Sequence, residues 1–394
     1  MKRHSAFNNL RHFTPQRRID IREEARPHLD GLTAKNLTEA RDAGTLASPI
    51  QTIFDILMED LRSHLLTAMQ LELSTLPPYL TALYSIQDGT NDESVQIIRS
   101  VAMEEMYHFT LAGNILNAVG GEVVVNTPDF IPQYPGFLPD ITHELVVSLL
   151  PFSSDAIATF MRIEEPSDPP DWESIHEDHG YQTIGEFYAA VERLLDFICD
   201  LFPDAWVFTG DPSKQIDHKY YYGGGGVVKP VTNRPSAKWA IKTIVDQGEG
   251  LQHGTRVCDG DAQFGQEPEP AHFYRFQEID LCRQYKCSDT PGNPTGDPFE
   301  VDYGSAYSIV PDPKSDLYVD FPEIWAKSEH FNRRYLKLLD LLTEAFDNDQ
   351  EKLIEAVGVM YELKYHAQAL MKIPLPGTDY NCAPTWQYPQ SINE

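Results

Sequence analysis

The sequence predicts an all-α protein: a four-helix bundle with two additional C-terminal helices and long loops. Three observations predict it. Between Ile50 and Ser85, Leu57, Leu61, Leu65, Met69, Leu76 and Leu83 follow the three- and four-residue steps of an amphipathic helix. Between Ile98 and Leu116 the same period returns through Val101, Ala102, Phe109, Ala112 and Ile115. Third, Glu105 and His108 lie three apart inside that second apolar stripe, where an unpaired charge is costly to bury. A metal ion supplies the compensation, and Glu-x-x-His directed into a bundle is the ligand pair of carboxylate-bridged di-iron and di-manganese centres. A buried Glu–His hydrogen bond is the plainer alternative.

In chain order, residues 1–49 are polar and weakly periodic, an N-terminal arm with short helical pieces. The first long helix carries Glu72 on its buried stripe, and Pro77-Pro78 follow within two turns, where proline removes hydrogen bonds and kinks a helix. Glu72 would then either bind metal or partner backbone freed by the prolines. Asp88-Gly-Thr-Asn91 turns the chain into the helix of Glu105 and His108. Glu72 lies sixteen residues before Asp88 and Glu105 seventeen after it, so an antiparallel hairpin brings both carboxylates to similar depth. Gly120-Gly121 stops the second helix. A proline-rich connection and a segment of strand or helix (143–152) lead to a short capped helix, Ser153–Pro166, with Glu164 on its apolar stripe beside Ile157, Phe160 and Met161.

The loop 167–182 holds His176 and His179, read as solvated. Thr183 opens a third long helix to about Phe202; Thr183-x-x-Glu186 forms a capping box, which gives Glu186 a structural role beside a possible ligand role. Tyr220-Tyr-Tyr-Gly-Gly-Gly-Gly lacks the phosphate-loop pattern and reads as a close-packed turn. A fourth helix runs from Ser236 to about Gly250, with Ile241, Val245 and Glu249 on one line; glycines on both sides of Glu249 open the helix where something approaches the carboxylate. Pro270 starts another helix and places His272 just inside it; His253 is the rival imidazole. Two amphipathic helices, about 322–346 and 350–372, follow a loop-rich stretch. The predicted organisation is an arm (1–49), a metal-binding bundle (50–285), and a loop segment with C-terminal helices packed on it (286–394).

Whole-chain properties exclude several classes. With 31 basic against 60 acidic residues the formal charge is −29, a field that repels nucleic acid and anionic membranes. No run of eighteen apolar residues suggests a membrane span, and Met1–Asn9 lacks the apolar core of a secretory leader. Cys199, Cys258, Cys282, Cys287 and Cys382 are few and odd in number; they suggest no disulfide framework and a reducing, cytoplasmic setting.

An ordered series of stretches resembles the ferritin-like domain family found in the iminophenyl-pyruvate dimer synthases of bisindole biosynthesis and in stand-alone proteins. The stretches are Glu72-Leu-Ser-Thr-Leu-Pro-Pro-Tyr-Leu, Glu104-Glu-Met-Tyr-His, Phe160-Met-Arg-Ile-Glu-Glu-Pro, Ile184-Gly-Glu-Phe-Tyr, Gln247-Gly-Glu-Gly, His272-Phe-Tyr-Arg-Phe and Ala383-Pro-Thr-Trp. The resemblance implies a ferritin-like bundle with a metal site. It departs from the usual pattern at Glu249 and His272, which an insert separates where one continuous helix would carry both.

The candidate metal ligands are therefore Glu72, Glu105, His108, Glu164, Glu186, Glu249 and His272. Carboxylate and imidazole donors suit iron, as one or two ions, and also manganese or another divalent metal. The expected function is an oxidoreductase activating dioxygen on a small organic substrate, in secondary metabolism, with homo-oligomer formation open. The alternative is a non-enzymatic protein for metal binding, storage or scaffolding. Tyr79, Tyr107, Phe109, Tyr188, Phe273 and Tyr274 stand near the ligands in sequence as pocket lining or plain core.

Overall fold

The computed structural model of the chain describes Pro27 and residues 33–141, 145–167, 180–221, 224–251, 254–260 and 268–390. His176, His179, His253 and all of residues 1–32 except Pro27 lie outside the described residues. The all-α expectation is met: ten α-helices and a single two-stranded hairpin make up the regular structure among the described residues.

Helix α1 (Ala34–Asp42) starts on Thr33, whose hydroxyl accepts from the Asn36 amide. Helix α2 (Ser48–Ser85) has proline in its first turn, where the missing amide costs nothing. It also runs on through Pro77 and Pro78. Pro78 cannot donate to the Ser74 carbonyl four residues back; the Tyr134 hydroxyl donates to that carbonyl instead, at 2.6 Å, so the buried acceptor is not orphaned. Tyr134, rather than Glu72, serves this freed backbone. After a turn in which Asn91 is left-handed (φ 52°), α3 runs from Asp92 to Ala118, and Gly120 (φ +73°) ends it.

Within the segment read as strand or helix (143–152), Val146–Val147 form a short strand, β2, that pairs antiparallel with β1 (Gly136–Phe137), Gly136 opposite Val147. Helices α4 (Ser154–Ile163), capped by Ser153, and α5 (Ile184–Leu201), capped by Thr183, follow. After the single turn α6 (Asp204–Val207) come α7 (Arg234–Glu249), opened by an Asn233–Ser236 capping box, and α8 (His272–Leu281). Helices α9 (Pro322–Ala345) and α10 (Lys352–Met371) complete the set.

Packing closes a ring of four: α2 on α3 and α5, and α7 on α5 and α3. Helices α4 and α8 pack on each other, α4 also on α2, and α8 on α3 and α7. The bundle thus has two unbroken columns, α2 and α3, and two broken ones, α4 with α5 and α7 with α8. The breaks fall at one level, where the functional residues gather.

Helices α9 and α10 pack on each other and α10 on α2, and their buried apolar side chains join the same continuous core. The C-terminal tail fastens this layer. Trp386, 1% exposed, sits edge-on to Phe331 and Tyr335 and donates its indole N–H to Thr81 of α2 at 2.9 Å. Glu329, fully buried, accepts from Ser315, Asn332 and the Gln390 amide. No helix among the described residues is long and apolar enough to cross a membrane.

One sequence expectation is overturned here. Cys258 and Cys287 form a disulfide. They flank α8: Cys258 pairs by a backbone bridge with Pro270 before it, and the chain after α8 returns to the same side. Their separation of 29 residues carries no local signature, so counting cysteines gave no warning, and it gives no support for a reducing setting.

Trp386→Ala should destabilise the protein by about 3–5 kcal/mol, as expected for removing a fully buried large aromatic, read as a lowered urea midpoint. Trp386→Phe should lose less. A midpoint unchanged in both would mean the tail does not hold α9 and α10 to the bundle.

Candidate metal centre

Each column of the bundle delivers side chains to the level of the breaks. Glu72 comes from α2, and Glu104, Glu105 and His108 from α3. Glu164 is the C-cap of α4, Gln247 and Glu249 occupy the last turn of α7, and His272 is the first residue of α8, with Arg275 one turn on. Glu72, Glu105 and His108 are each 2% exposed, Glu164 is 7% and His272 is 0%.

The two imidazoles are arranged alike. His108 donates from Nε2 to Gln247 Oε1 at 2.9 Å, and its Nδ1 faces Glu72 at 3.6 Å and Glu105 at 3.8 Å. His272 donates from Nε2 to Glu104 Oε2 at 2.9 Å, and its Nδ1 faces Glu105 at 2.8 Å and Glu164 at 3.5 Å. Nδ1 of His272 is buried without a directed hydrogen bond. The rings lie 5.2 Å apart and nearly parallel. Glu105, His108 and His272 each offer one ligand atom within 4.8 Å of the others.

Outer contacts fix this geometry. Gln247 donates its amide to the Gly225 carbonyl at 3.0 Å. Gly225 (φ +81°) and Gly226 lie so close to α3 that a Cβ would stand 2.9 Å from Glu104 Cα and 2.3 Å from the Tyr107 ring, respectively. Gly225 and Gly226 are thus closely packed on α3, and Gly225 also holds the amide that orients His108. Arg275 grips Glu104 with both terminal nitrogens at 3.1 Å, which in turn holds His272. Two phenols bind carboxylates: Tyr79 donates to Glu164 at 2.5 Å, and Tyr188 donates to Glu72.

The electrostatics follow from crowding. Burial, and then the charge of Glu105, push the Glu72 carboxyl up to about 7 against the pull of His108. Burial alone would raise Glu104, but Arg275 and His272 hold it down at about 2. Burial opposes a charge on His108, yet Glu105 and Glu72 outweigh it and raise the imidazole to about 10. His272 is raised in the same way by Glu104, Glu105 and Glu164. Among the described residues no lysine or arginine pairs with Glu72, Glu105 or Glu164, since the Arg275 guanidinium goes to Glu104 and Glu269.

Five of the seven sequence candidates therefore come together: Glu72, Glu105, His108, Glu164 and His272. Glu186 does not reach them. Its amide donates to Thr183 and its carboxylate accepts from the Gln182 amide at 2.8 Å, so it serves the start of α5. Glu249 is buried nearby, but its Oε2 accepts from both the amide and the hydroxyl of Ser167 at 2.7 Å. It lines, with Glu164 and Tyr188, a cavity of about 30 Å³, room for about one water-sized molecule. A recess of about 400 Å³ between α5 and α7 shares Gly185, Val245 and Glu249 with that cavity.

Sequence reasoning missed Glu104, Gln247 and Arg275. Their signals were adjacency to Glu105, the polar start of Gln-Gly-Glu-Gly, and the one-turn spacing from His272. Tyr79 and Tyr188, read as lining or core, act through their hydroxyls.

A ferritin-like family model matches residues 65–281, more than half of the chain. Over 250 residues the chain is 26% identical to the 2-imino-3-(indol-3-yl)propanoate dimerase of Chromobacterium violaceum, covering 56% of this chain and 23% of that protein. It is 26% identical over 306 residues to the dichlorochromopyrrolate synthase of Lentzea aerocolonigenes, covering 70% and 28% respectively. The chain thus spans 23% and 28% of the length of the curated relatives it matches. The crystal structure of a ferritin-like protein from Caulobacter vibrioides superposes with a TM-score of 0.54 at 24% identity, over 82% of this chain and 96% of that one, a likeness of fold. The resemblance read from the sequence is borne out by these relatives, and the chain belongs to the ferritin-like family.

Proposed function

We propose that this protein binds a divalent metal, iron first and as one or two ions, through Glu72, Glu105, His108, Glu164 and His272, and acts as an oxidoreductase on a small organic substrate. The observation that carries this reading is the orientation of the two histidines. Both direct Nε2–H outward to a fixed acceptor and leave Nδ1 facing buried carboxylates that no lysine or arginine among the described residues pairs with. Oxygen and nitrogen donors of this kind suit iron or manganese, and outer hydrogen bonds of this kind hold imidazole ligands in metal sites. When bound, the metal would supply dioxygen activation.

The chain's own residues then have defined tasks. Gln247 and Glu104 orient the imidazoles, and Tyr79 and Tyr188 hold the outer oxygens of Glu164 and Glu72. The small cavity beside Glu164 would admit a molecule the size of dioxygen, and the larger recess between α5 and α7 would receive the organic substrate. The named relatives are a dimerase of an indolyl imino acid and a synthase of dichlorochromopyrrolate, which supports an aromatic substrate and a role in secondary metabolism.

Metal analysis of purified protein tests the ligand set. His108→Ala and Glu164→Ala should each strip most of the metal with helical content nearly intact, while Glu186→Ala should leave it bound. Gln247→Ala should weaken metal affinity roughly 10–100-fold, the usual effect of losing an imidazole's outer partner. Full occupancy in His108→Ala would sink the assignment, and metal loss in Glu186→Ala but not Glu164→Ala would move the third carboxylate to α5.

The pH dependence has a definite sign. In metal-free protein His108 is raised from 6.5 to about 10 and His272 is raised also. Their contribution to stability is complete below pH 6.5 and is lost as pH climbs toward 10. Glu72, raised from 4.5 to about 7, loses its contribution earlier in the same direction. Thermal midpoints of the metal-free protein should therefore fall between pH 6.5 and 9. Metal replaces these protons, so the loaded protein should lose less over that window; parallel curves would argue against a metal among these groups.

Oxygen consumption on adding Fe(II) under air separates enzyme from store. Rapid uptake limited to the stoichiometry of the site, renewed by an organic substrate, is the expected result. Continued ferric deposition beyond site stoichiometry would favour storage.

A further inference from the structure

A further large cavity among the described residues lies away from the candidate metal centre. It is a groove of about 540 Å³ between the α2/α3 hairpin and α9/α10, within the size range of small-ligand sites. On α3 its lining includes Arg99, Ala102, Met103 and Met106, and on α2 Leu73, Leu76 and Leu80. At about 100° of rotation per residue, this face lies roughly a third of a turn round from the face that carries Glu72, Glu105 and His108. The groove is therefore a separate site behind the centre.

Its walls are mostly apolar, and two basic side chains line it. Arg99 is exposed and Lys364 is half-buried, and neither makes a hydrogen bond or ion pair among the described residues. Two acids also stand at the rim: Asp92, in the first turn of α3, and Asp88, which accepts from Gln368 at 3.5 Å. Tyr361 and Tyr365, each 70% exposed, project beside the opening.

We propose that this groove binds an amphipathic monocarboxylate. Its apolar body lies along Leu76, Leu80, Met103, Met106 and Leu338, and its carboxylate is taken up by Arg99 and Lys364. A neutral apolar ligand would leave Lys364 half-buried and unpaired, and a cation would be repelled by it. The assignment does not depend on the metal reading.

Binding is measured on the full chain by displacement of 1-anilinonaphthalene-8-sulfonate and by Trp386 fluorescence, with dodecanoate, naphthalene-2-acetate and dodecanol as probes. At least one carboxylate should bind in the micromolar range, and dodecanol should bind at least about tenfold more weakly than dodecanoate. The double variant Arg99→Gln/Lys364→Gln changes surface charge only, and should weaken the carboxylates at least about tenfold while leaving dodecanol unchanged. Met103→Trp, which fills the groove, should weaken all three. Tighter binding of dodecanoate identifies an aliphatic ligand, and tighter binding of naphthalene-2-acetate an aromatic one. The proposal is overturned if neither carboxylate binds below about 1 mM, if dodecanol equals dodecanoate, or if the double variant binds the carboxylates as the parent does.

Discussion

The structure is organised around buried carboxylates that no lysine or arginine among the described residues neutralises. Glu72, Glu105 and Glu164 converge on two imidazoles in the middle of the bundle, and the nearest guanidinium is committed to Glu104 and Glu269. Burying uncompensated carboxylates costs several kcal/mol each. Without a cation from outside, protons must fill that place, which is why both imidazoles and Glu72 are held above their ordinary values. The backbone at Gly225, the Arg275 clamp and the two phenols hold this cluster in place.

Much of this was legible in sequence because helices write their buried face at a fixed period. The stripes of α2 and α3 placed Glu72, Glu105 and His108 inward, and counting from Asp88 put the two glutamates at one depth. Glu164 and Glu186 could not be separated that way, since both sit at helix ends near the same level. The difference lies in a hydrogen bond from the Gln182 amide, which takes up Glu186. Glu249 stands out in sequence between its glycines, but its partner Ser167 is 82 residues away. The Cys258–Cys287 bond and the grip of Trp386 on Thr81 are likewise contacts between distant parts of the chain, and periodicity reports nothing of the kind.

The groove behind α2 and α3 exists because the C-terminal layer packs on the bundle without filling the space between them. Leu73 and Met106 line it one residue away from Glu72 and Glu105. The same helical turns therefore face a buried charged cluster on one side and an apolar recess on the other. In such turns, small changes of helix position are felt on both faces.

The two broken columns have a consequence for how this fold can vary. In a continuous helix, each inserted residue rotates everything beyond it by about 100°, so a length change between two ligands would scatter them. Here Glu164 sits at the C-terminal end of one helix and Tyr188 inside the next, and Gln247 and His272 likewise belong to different helices, so no single helix carries either pair. Residues can be added or removed between those helices while each helix keeps its own register. The connections at the breaks can therefore change in length and sequence from one descendant to the next, altering what enters, while the five inward-facing ligand candidates stay where they are.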